Sequence, residues 1–175
     1  MDQITALWLA CLFLVIVAGM YYLWSIFWGI PFVPSSKQVI KDIQSVLANK
    51  KYRVAPDWPV VEPGAGDGRV AFALAKKGYQ VSAVEINPFL TLWMRLGKLL
   101  LRQKGLKIYN QNINSLDYSK YRVAIMYLYP NYMQQMEARL FLEMPKGSLI
   151  LSNTFAFKEH KPEDKIGKLL IYLVK

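Results

Sequence analysis

Cysteine occurs once in this 175-residue chain, at Cys11, and histidine once, at His160. A single thiol excludes an intrachain disulfide and a thiolate metal cluster. One histidine makes a transition-metal site a poor reading, and it leaves Ser-His and Cys-His catalysis without their parts apart from His160 itself. In K-E-H-K-P-E-D that residue reads as a solvated loop histidine.

Charge is missing as well. From Gln3 to Ser36 there is no Asp, Glu, Lys or Arg, and no basic residue precedes Lys37. Ile4 to Ile30 is almost continuously apolar, and about 20 such residues suffice to cross a hydrocarbon core roughly 30 Å thick. The stretch predicts a transmembrane helix, so the chain divides into an anchor, residues 1–30, and one domain, residues 31–175. Trp8 toward one end and Tyr21, Tyr22, Trp24 and Trp28 toward the other suit headgroup-level aromatic belts. A cleaved signal peptide is the competing reading. The run is too long for it, no basic n-region precedes it and no clean A-x-A site follows. Because every Lys and Arg lies after the helix, the positive-inside rule predicts a single pass with the N-terminus outside and the domain on the cytoplasmic, or organelle-interior, side.

What remains is basic. The whole chain has 22 Lys and Arg against 12 Asp and Glu, net +10; without Asp2 the rest carries 22 against 11, or +11. Such a surface attracts anionic lipid headgroups, an acidic partner or nucleic acid, or is merely well solvated.

The most informative stretch is Val60 to Asn87, V-V-E-P-G-A-G-D-G-R-V-A-F-A-L-A-K-K-G-Y-Q-V-S-A-V-E-I-N. Two apolar runs, Pro59–Glu62 and Gln80–Val84, flank a glycine-rich turn and a segment with helical spacing at Val70, Phe72, Ala73, Leu74 and Ala75. That is a βαβ unit. Gly64, Gly66 and Gly68 let the backbone take positive φ and lie against a ligand with no Cβ in the way. Glu85 ends the second strand, 21 residues after Gly64, where doubly wound folds place a carboxylate that accepts ribose hydroxyls.

The acid ahead of the glycines separates the cofactors. A dinucleotide site uses G-x-G-x-x-G and keeps helix N-terminal amides for a pyrophosphate; here the third glycine comes one residue early and Glu62 sits at the strand tip. That carboxylate would repel a pyrophosphate. It would attract S-adenosylmethionine (SAM), which carries an ammonium and a sulfonium. Another nucleotide, or a purely structural turn, is the alternative.

Pro31, Pro34 and Ser35-Ser36 break the apolar helix and offer an N-cap for the next one, and Ser36 to Ala48 carries a helical stripe at Val39, Ile40, Ile43, Val46 and Leu47. This helix is expected beside the first strand, covering the cofactor, and the short connector ahead of it holds the domain near the bilayer. Asn87 and Pro88 start a helix expected to run to about Lys104 and stop at Gly105. Its apolar residues, Leu90, Trp93, Met94, Leu96, Leu99 and Leu100, read as core; its basic ones can meet lipid headgroups. A third strand spans Leu106–Tyr109, and in the loop after it Asn112 and Ile113 are placed to contact an adenine. Tyr121–Pro130 reads as a fourth strand, Asn131–Met144 as a helix, Gly147–Asn153 as a fifth strand and Lys168–Val174 as a final antiparallel one. The predicted class is α/β: a Rossmann-like sheet with flanking helices behind one N-terminal membrane helix. Glu62, Glu85, Asn112 and Tyr127–Pro130 converge beyond the carboxyl ends of its strands.

The acid-glycine turn resembles motif I of class I SAM-dependent methyltransferases. E-P-G-A-G-D-G-R-V, E-I-N-P at Glu85–Pro88, Y-S-K-Y, M-Y-L-Y-P, M-Q-Q-M-E-A-R-L, S-L-I-L-S-N-T-F-A-F and the early P-F-V-P-S-S resemble a narrower group. This is the small membrane-anchored lysine methyltransferases whose mitochondrial members modify the ATP synthase c-ring protein and the adenine nucleotide translocase, and which have prokaryotic relatives. The resemblance runs from about Pro31 to about Pro162 plus the preceding helix. It implies SAM held by Glu62, Gly64, Ala65, Gly66, Gly68, Glu85, Ile86, Asn112, Ile113 and Tyr127, with no metal. It also implies a lysine acceptor on a membrane-embedded or membrane-proximal protein. The family has an acid where this chain has Asn112, and a glycine near Leu128. Tyr127, Tyr129, Phe155 and Phe157 are the candidate walls of a desolvated acceptor channel, the first three being the catalytic candidates. No N/D-P-P-Y/F follows the fourth strand, which counts against amino-group methylation of adenine or of glutamine. Methylation of RNA, a lipid or a small molecule, and a non-catalytic membrane adaptor with the same fold, are the other readings.

Overall fold

A computed structural model describes residues 2–28 and 34–175. These form two compact units, split between Val33 and Pro34, and each is taken by itself.

The first unit is α1, Gln3–Trp28. Its residues Gln3–Met20 form a stretch long and apolar enough to cross a membrane, and they are exposed. The side chains of Tyr21, Trp24 and Trp28, and the break assigned to Pro31, lie outside the described residues.

In the second unit Ser36 caps α2, Lys37–Ala48, by accepting the Val39 N–H at 3.3 Å. Strand β1, Pro59–Pro63, leads into α3, Arg69–Ala75, and β2, Gln80–Glu85. Asn87 caps α4, Pro88–Leu100, through the Phe89 N–H, with proline in the first turn. Then come β3, Leu106–Asn110; β4, Val123–Met126; α5, Pro130–Glu143; β5, Leu149–Asn153; and the hairpin β6, Asp164–Ile166, with β7, Leu169–Leu173. The sheet order is β3-β2-β1-β4-β5-β7-β6. Strands β1 to β5 are parallel to their neighbours and β7 runs antiparallel to β5. The strand order reverses between β1 and β4, and such a switch point opens a crevice at the carboxyl ends.

The strands alternate between two cores, as a twofold side-chain period requires. Val60, Ala83, Ile125 and Leu151 face α2, α3 and Met94 of α4. Val61, Val84, Ala124, Met126 and Ile150 face Met133, Met136 and Leu140 of α5.

Helix α2 packs on α3 and β7 and shares one core with Val60 of β1. Several expectations shift. Helix α4 ends at Leu100, four residues early, because Arg102 takes the left-handed conformation at φ 49° and Gln103 N–H closes on Lys98 O at 3.1 Å, the bond pattern of a Schellman cap. Gly105 is needed for close approach instead: a Cβ there would lie 2.7 Å from Tyr79 O. Strand β4 stops at Met126, and Tyr127–Tyr129 form a loop into the Pro130 start of α5. The outward side of α4 is not core at all, since of its expected apolar face Met94 is buried whereas Trp93, Leu96, Leu99 and Leu100 are exposed.

Candidate functional site

Gly64, Gly66 and Gly68 have φ of 70°, 59° and 79°, the left-handed region that favours glycine. The turn is pinned to the neighbouring strand: Gly64 N–H and Ala65 N–H both donate to Val84 O, at 2.8 and 3.0 Å. Space is as restricted as φ. A Cβ on Gly64 would meet Leu128 Cδ2 at 2.6 Å, and one on Gly68 would meet Met94 Sδ at 2.6 Å. Leu128, in the loop after β4, therefore lies directly over the first glycine.

Two buried carboxylates flank this turn. Glu85 is committed to backbone: Oε2 accepts the Gly66 N–H at 2.8 Å and Oε1 the Asn87 N–H at 2.9 Å. Each oxygen keeps further acceptor capacity. Asn110 steadies the same strand end by donating from Nδ2 to Glu85 O and Ile86 O at 3.0 and 2.9 Å. Glu62 is different. It is buried, and its Oε2 has no hydrogen-bond partner among the described residues. Burial pushes its pKa up to about 8 against the Ala71 N–H, which favours the charge; Asp67 and Glu85 push it further in the same direction as burial. Three carboxylates thus crowd one glycine turn, and one of them holds an oxygen that meets no donor among the described residues.

That orphan oxygen tests the expected cofactor. A buried carboxylate without a partner costs several kcal/mol unless a cation or donor meets it. The residues present fit a ligand that brings an ammonium to Glu62, hydroxyls to Glu85 and a body slim enough to lie on glycine. They do not suit a pyrophosphate.

The other expected residues divide. Tyr127 and Phe155 come together, stacked with ring centroids 6.4 Å apart and planes 20° from parallel, so the loop after β4 and the loop after β5 share an aromatic wall. Tyr129 occupies the N-cap of α5. Asn112 opens a 3-10 turn by accepting the Asn114 N–H at 2.9 Å, which engages its oxygen locally; Ile113, in that turn, packs against the α5-side core. Phe157 is no channel wall. It is buried edge-on against Phe141 and Tyr172, with centroids 5.5 and 4.8 Å away.

Sequence reasoning missed three residues. Glu137 on α5 is buried and accepts three backbone N–H groups, from Lys158, Glu159 and His160, and contacts His160 Nδ1 at 2.8 Å. It clamps the loop that carries Phe155. His160, expected to be merely solvated, stacks on Phe141 with centroids 3.5 Å apart. Thr154, between Asn153 and Phe155, has φ 74°, a strained conformation for a β-branched residue. Only Glu137 left a trace in the sequence: an acid on the apolar side of an amphipathic helix.

The strand order, the switch point and the glycine turn define a Rossmann-like methyltransferase fold. A solved RNA methyltransferase from Salinibacter ruber, in complex with S-adenosyl-L-homocysteine, has this fold, with TM-score 0.73 at 21% identity over 81% of this chain and 94% of that one. More specifically, the family model of the ANTKMT methyltransferase domain matches residues 62–164, more than half of the chain, and the chain belongs to that family. Among curated relatives, the lysine N-methyltransferase of the ATP synthase c-ring protein from Mus musculus is 26% identical over 140 residues, 79% of this chain and 54% of the relative. A protein-lysine N-methyltransferase of Saccharolobus islandicus is 26% identical over 145 residues, 78% of this chain and 84% of the relative. The chain spans 54% and 62% of the length of the mouse and rat relatives.

Proposed function

We propose that this protein is a SAM-dependent methyltransferase that acts on a lysine side chain of a membrane-associated protein. The observation that carries the proposal is the buried, unpartnered Glu62 oxygen beside a glycine turn; membership of the family and the names of its relatives support lysine as the acceptor. SAM, when bound, supplies a methyl group made electrophilic by its sulfonium. Glu62 would hold the ammonium of the methionyl part. Gly64, Ala65, Gly66 and Gly68 form the floor, Glu85 takes the ribose hydroxyls with Ile86 alongside, and Asn112 and Ile113 flank the adenine.

The remaining work is positioning and water exclusion. A lysine amine has a pKa of about 10.4 in water, so it must lose a proton before it can act as a nucleophile. A narrow aromatic wall of Tyr127, Tyr129 and Phe155 would desolvate the ammonium and lower that pKa. The Glu137 clamp and the strained Thr154 hold the Phe155 loop in place. Leu128, packed over Gly64, would separate the cofactor floor from the acceptor wall. The apolar α1 supports a single-pass anchor, and the distribution of Lys and Arg supports a domain on the cytoplasmic or organelle-interior side.

Purified protein, methyl-labelled SAM and membranes from a strain lacking the gene test the reading. Label is expected on protease-sensitive material and, after hydrolysis, on methyllysine. Label in RNA or in extracted lipid would reassign the acceptor, and SAM binding without transfer would favour an adaptor.

A further inference from the structure

The outward side of α4 is the largest departure from what an amphipathic surface helix should be. Such a helix buries its apolar stripe and turns charge to water. Here Thr91 and Met94 are buried against the sheet, while Leu92, Trp93, Leu96, Leu99 and Leu100 are between 50% and 80% exposed. At about 100° per residue these five fall within an arc of roughly 120°, opposite Met94. Leu101, just past the end of the helix, is 61% exposed. An apolar arc of this kind marks a surface that something covers.

Charge says what. Between Glu85 and Asp117 the chain has no acid, but it has Arg95, Lys98, Arg102, Lys104 and Lys107, and of these Arg95, Arg102, Lys104 and Lys107 are exposed. A helix with Trp and Leu on one side and Lys and Arg beside them is the composition that lies in a membrane interface, apolar face about 5–10 Å into the headgroup boundary. A second copy of the chain fits poorly, because pairing two such faces would bring two sets of Arg95 and Arg102 together with no acid to meet them. The same chain carries α1, a helix long and apolar enough to cross a membrane.

We propose that α4 is a second, interfacial membrane contact: its Leu92, Trp93, Leu96, Leu99 and Leu100 face enters an anionic lipid surface, with Arg95, Arg102 and Lys104 on the headgroups. The contact is separate from methyl transfer and stands whether or not SAM is the cofactor. If SAM is, the consequence is specific: α4 begins two residues after Ile86, beside Glu85, so a helix lying on the bilayer holds the crevice near the lipid surface.

The test uses the full chain. In a Cys11→Ser background, an environment-sensitive fluorophore is placed on Leu96→Cys, with Gln135→Cys on the exposed side of α5 as reference, and each protein is reconstituted into phosphatidylcholine–phosphatidylglycerol vesicles. The label at 96 is expected to be quenched several-fold more by acyl-brominated lipid than the label at 135, and to be shielded from aqueous iodide. Adding Trp93→Gln and Leu99→Gln should remove the difference without shifting the melting temperature by more than a few degrees. Equal quenching and equal iodide access at 96 and 135 would overturn the proposal. So would shielding that persists in detergent together with a doubled mass in light scattering, which would assign the face to a second copy. Should Leu96→Cys fail to fold, Leu100→Cys, 80% exposed in the parent, gives the same readout.

Discussion

Two glutamates, Glu62 on β1 and Glu137 on α5, are both buried in the same domain, and their surroundings are opposite. Glu137 is enclosed by donors: three backbone N–H groups within 2.9 Å and the His160 ring at 2.8 Å. Burial alone would raise its pKa, but the His160 bond and these N–H groups outweigh it and hold it below the ordinary value. Glu62 keeps an oxygen with no partner and its pKa stands at about 8. A buried carboxylate that the fold satisfies is a structural clamp. One that the fold leaves unsatisfied is the candidate site, because a ligand that met it would recover the cost of burying it.

The sharpest way to break this contrast is at Glu85, whose carboxylate accepts the Gly66 and Asn87 N–H groups and is the proposed holder of the ribose hydroxyls. Glu85→Ala should abolish SAM binding in calorimetry and destabilise the fold by on the order of 2 kcal/mol, since two buried N–H groups lose their acceptor. Unchanged binding would refute the assigned site. Glu62→Gln should weaken SAM at least about 100-fold, through loss of a buried charge pair worth on the order of 3 kcal/mol, yet raise the melting temperature at pH 8. A fall in stability at that pH would show that Glu62 is satisfied after all.

Glu137→Ala should do the reverse, costing on the order of 3 kcal/mol in urea denaturation and speeding amide exchange in residues 158–160, with SAM affinity changed far less than by Glu62→Gln. His160→Ala, which leaves the three N–H bonds intact, should cost about 1 kcal/mol. Equal losses from the two variants would mean the ring, not the carboxylate, holds the loop.

The pH dependence has opposite signs at the two residues. Glu62 has a raised folded pKa, so its effect on stability is absent below the ordinary value of 4.5 and becomes a growing penalty as pH rises toward about 8. Glu137 has a lowered one, so its contribution is present above 4.5 and is lost as pH falls below it. Melting curves of Glu62→Gln and Glu137→Gln should therefore both leave the parent's as pH rises above 4.5, in opposite directions, the first toward higher stability and the second toward lower.

The same contrast separates what could be read from the chain and what could not. The glycine turn, Glu62, Glu85, the Ser36 and Asn87 caps and the antiparallel last strand follow from local chemistry, and each sits where its residues demand. Glu137 eluded the reading because its partners lie 21 to 23 residues away. The left-handed Thr154 carries no residue-type signal. The aromatic run at Tyr127–Tyr129 has strand propensity, but Pro130 opens a helix and the strand ends early. On α4 the period was right and the direction wrong: spacing identifies an apolar arc, but it does not distinguish a face that meets protein from one that meets lipid.

Proton counting tests the central claim most directly. With a pKa of about 8, Glu62 is mostly protonated at pH 7 in the free protein, and a cation seated against it would drive that proton off. Calorimetric titration of SAM at pH 7, in buffers of different ionisation enthalpy, should show release of close to one proton from the parent and none from Glu62→Gln. Binding of equal strength by both proteins, with no proton released by either, would contradict the account.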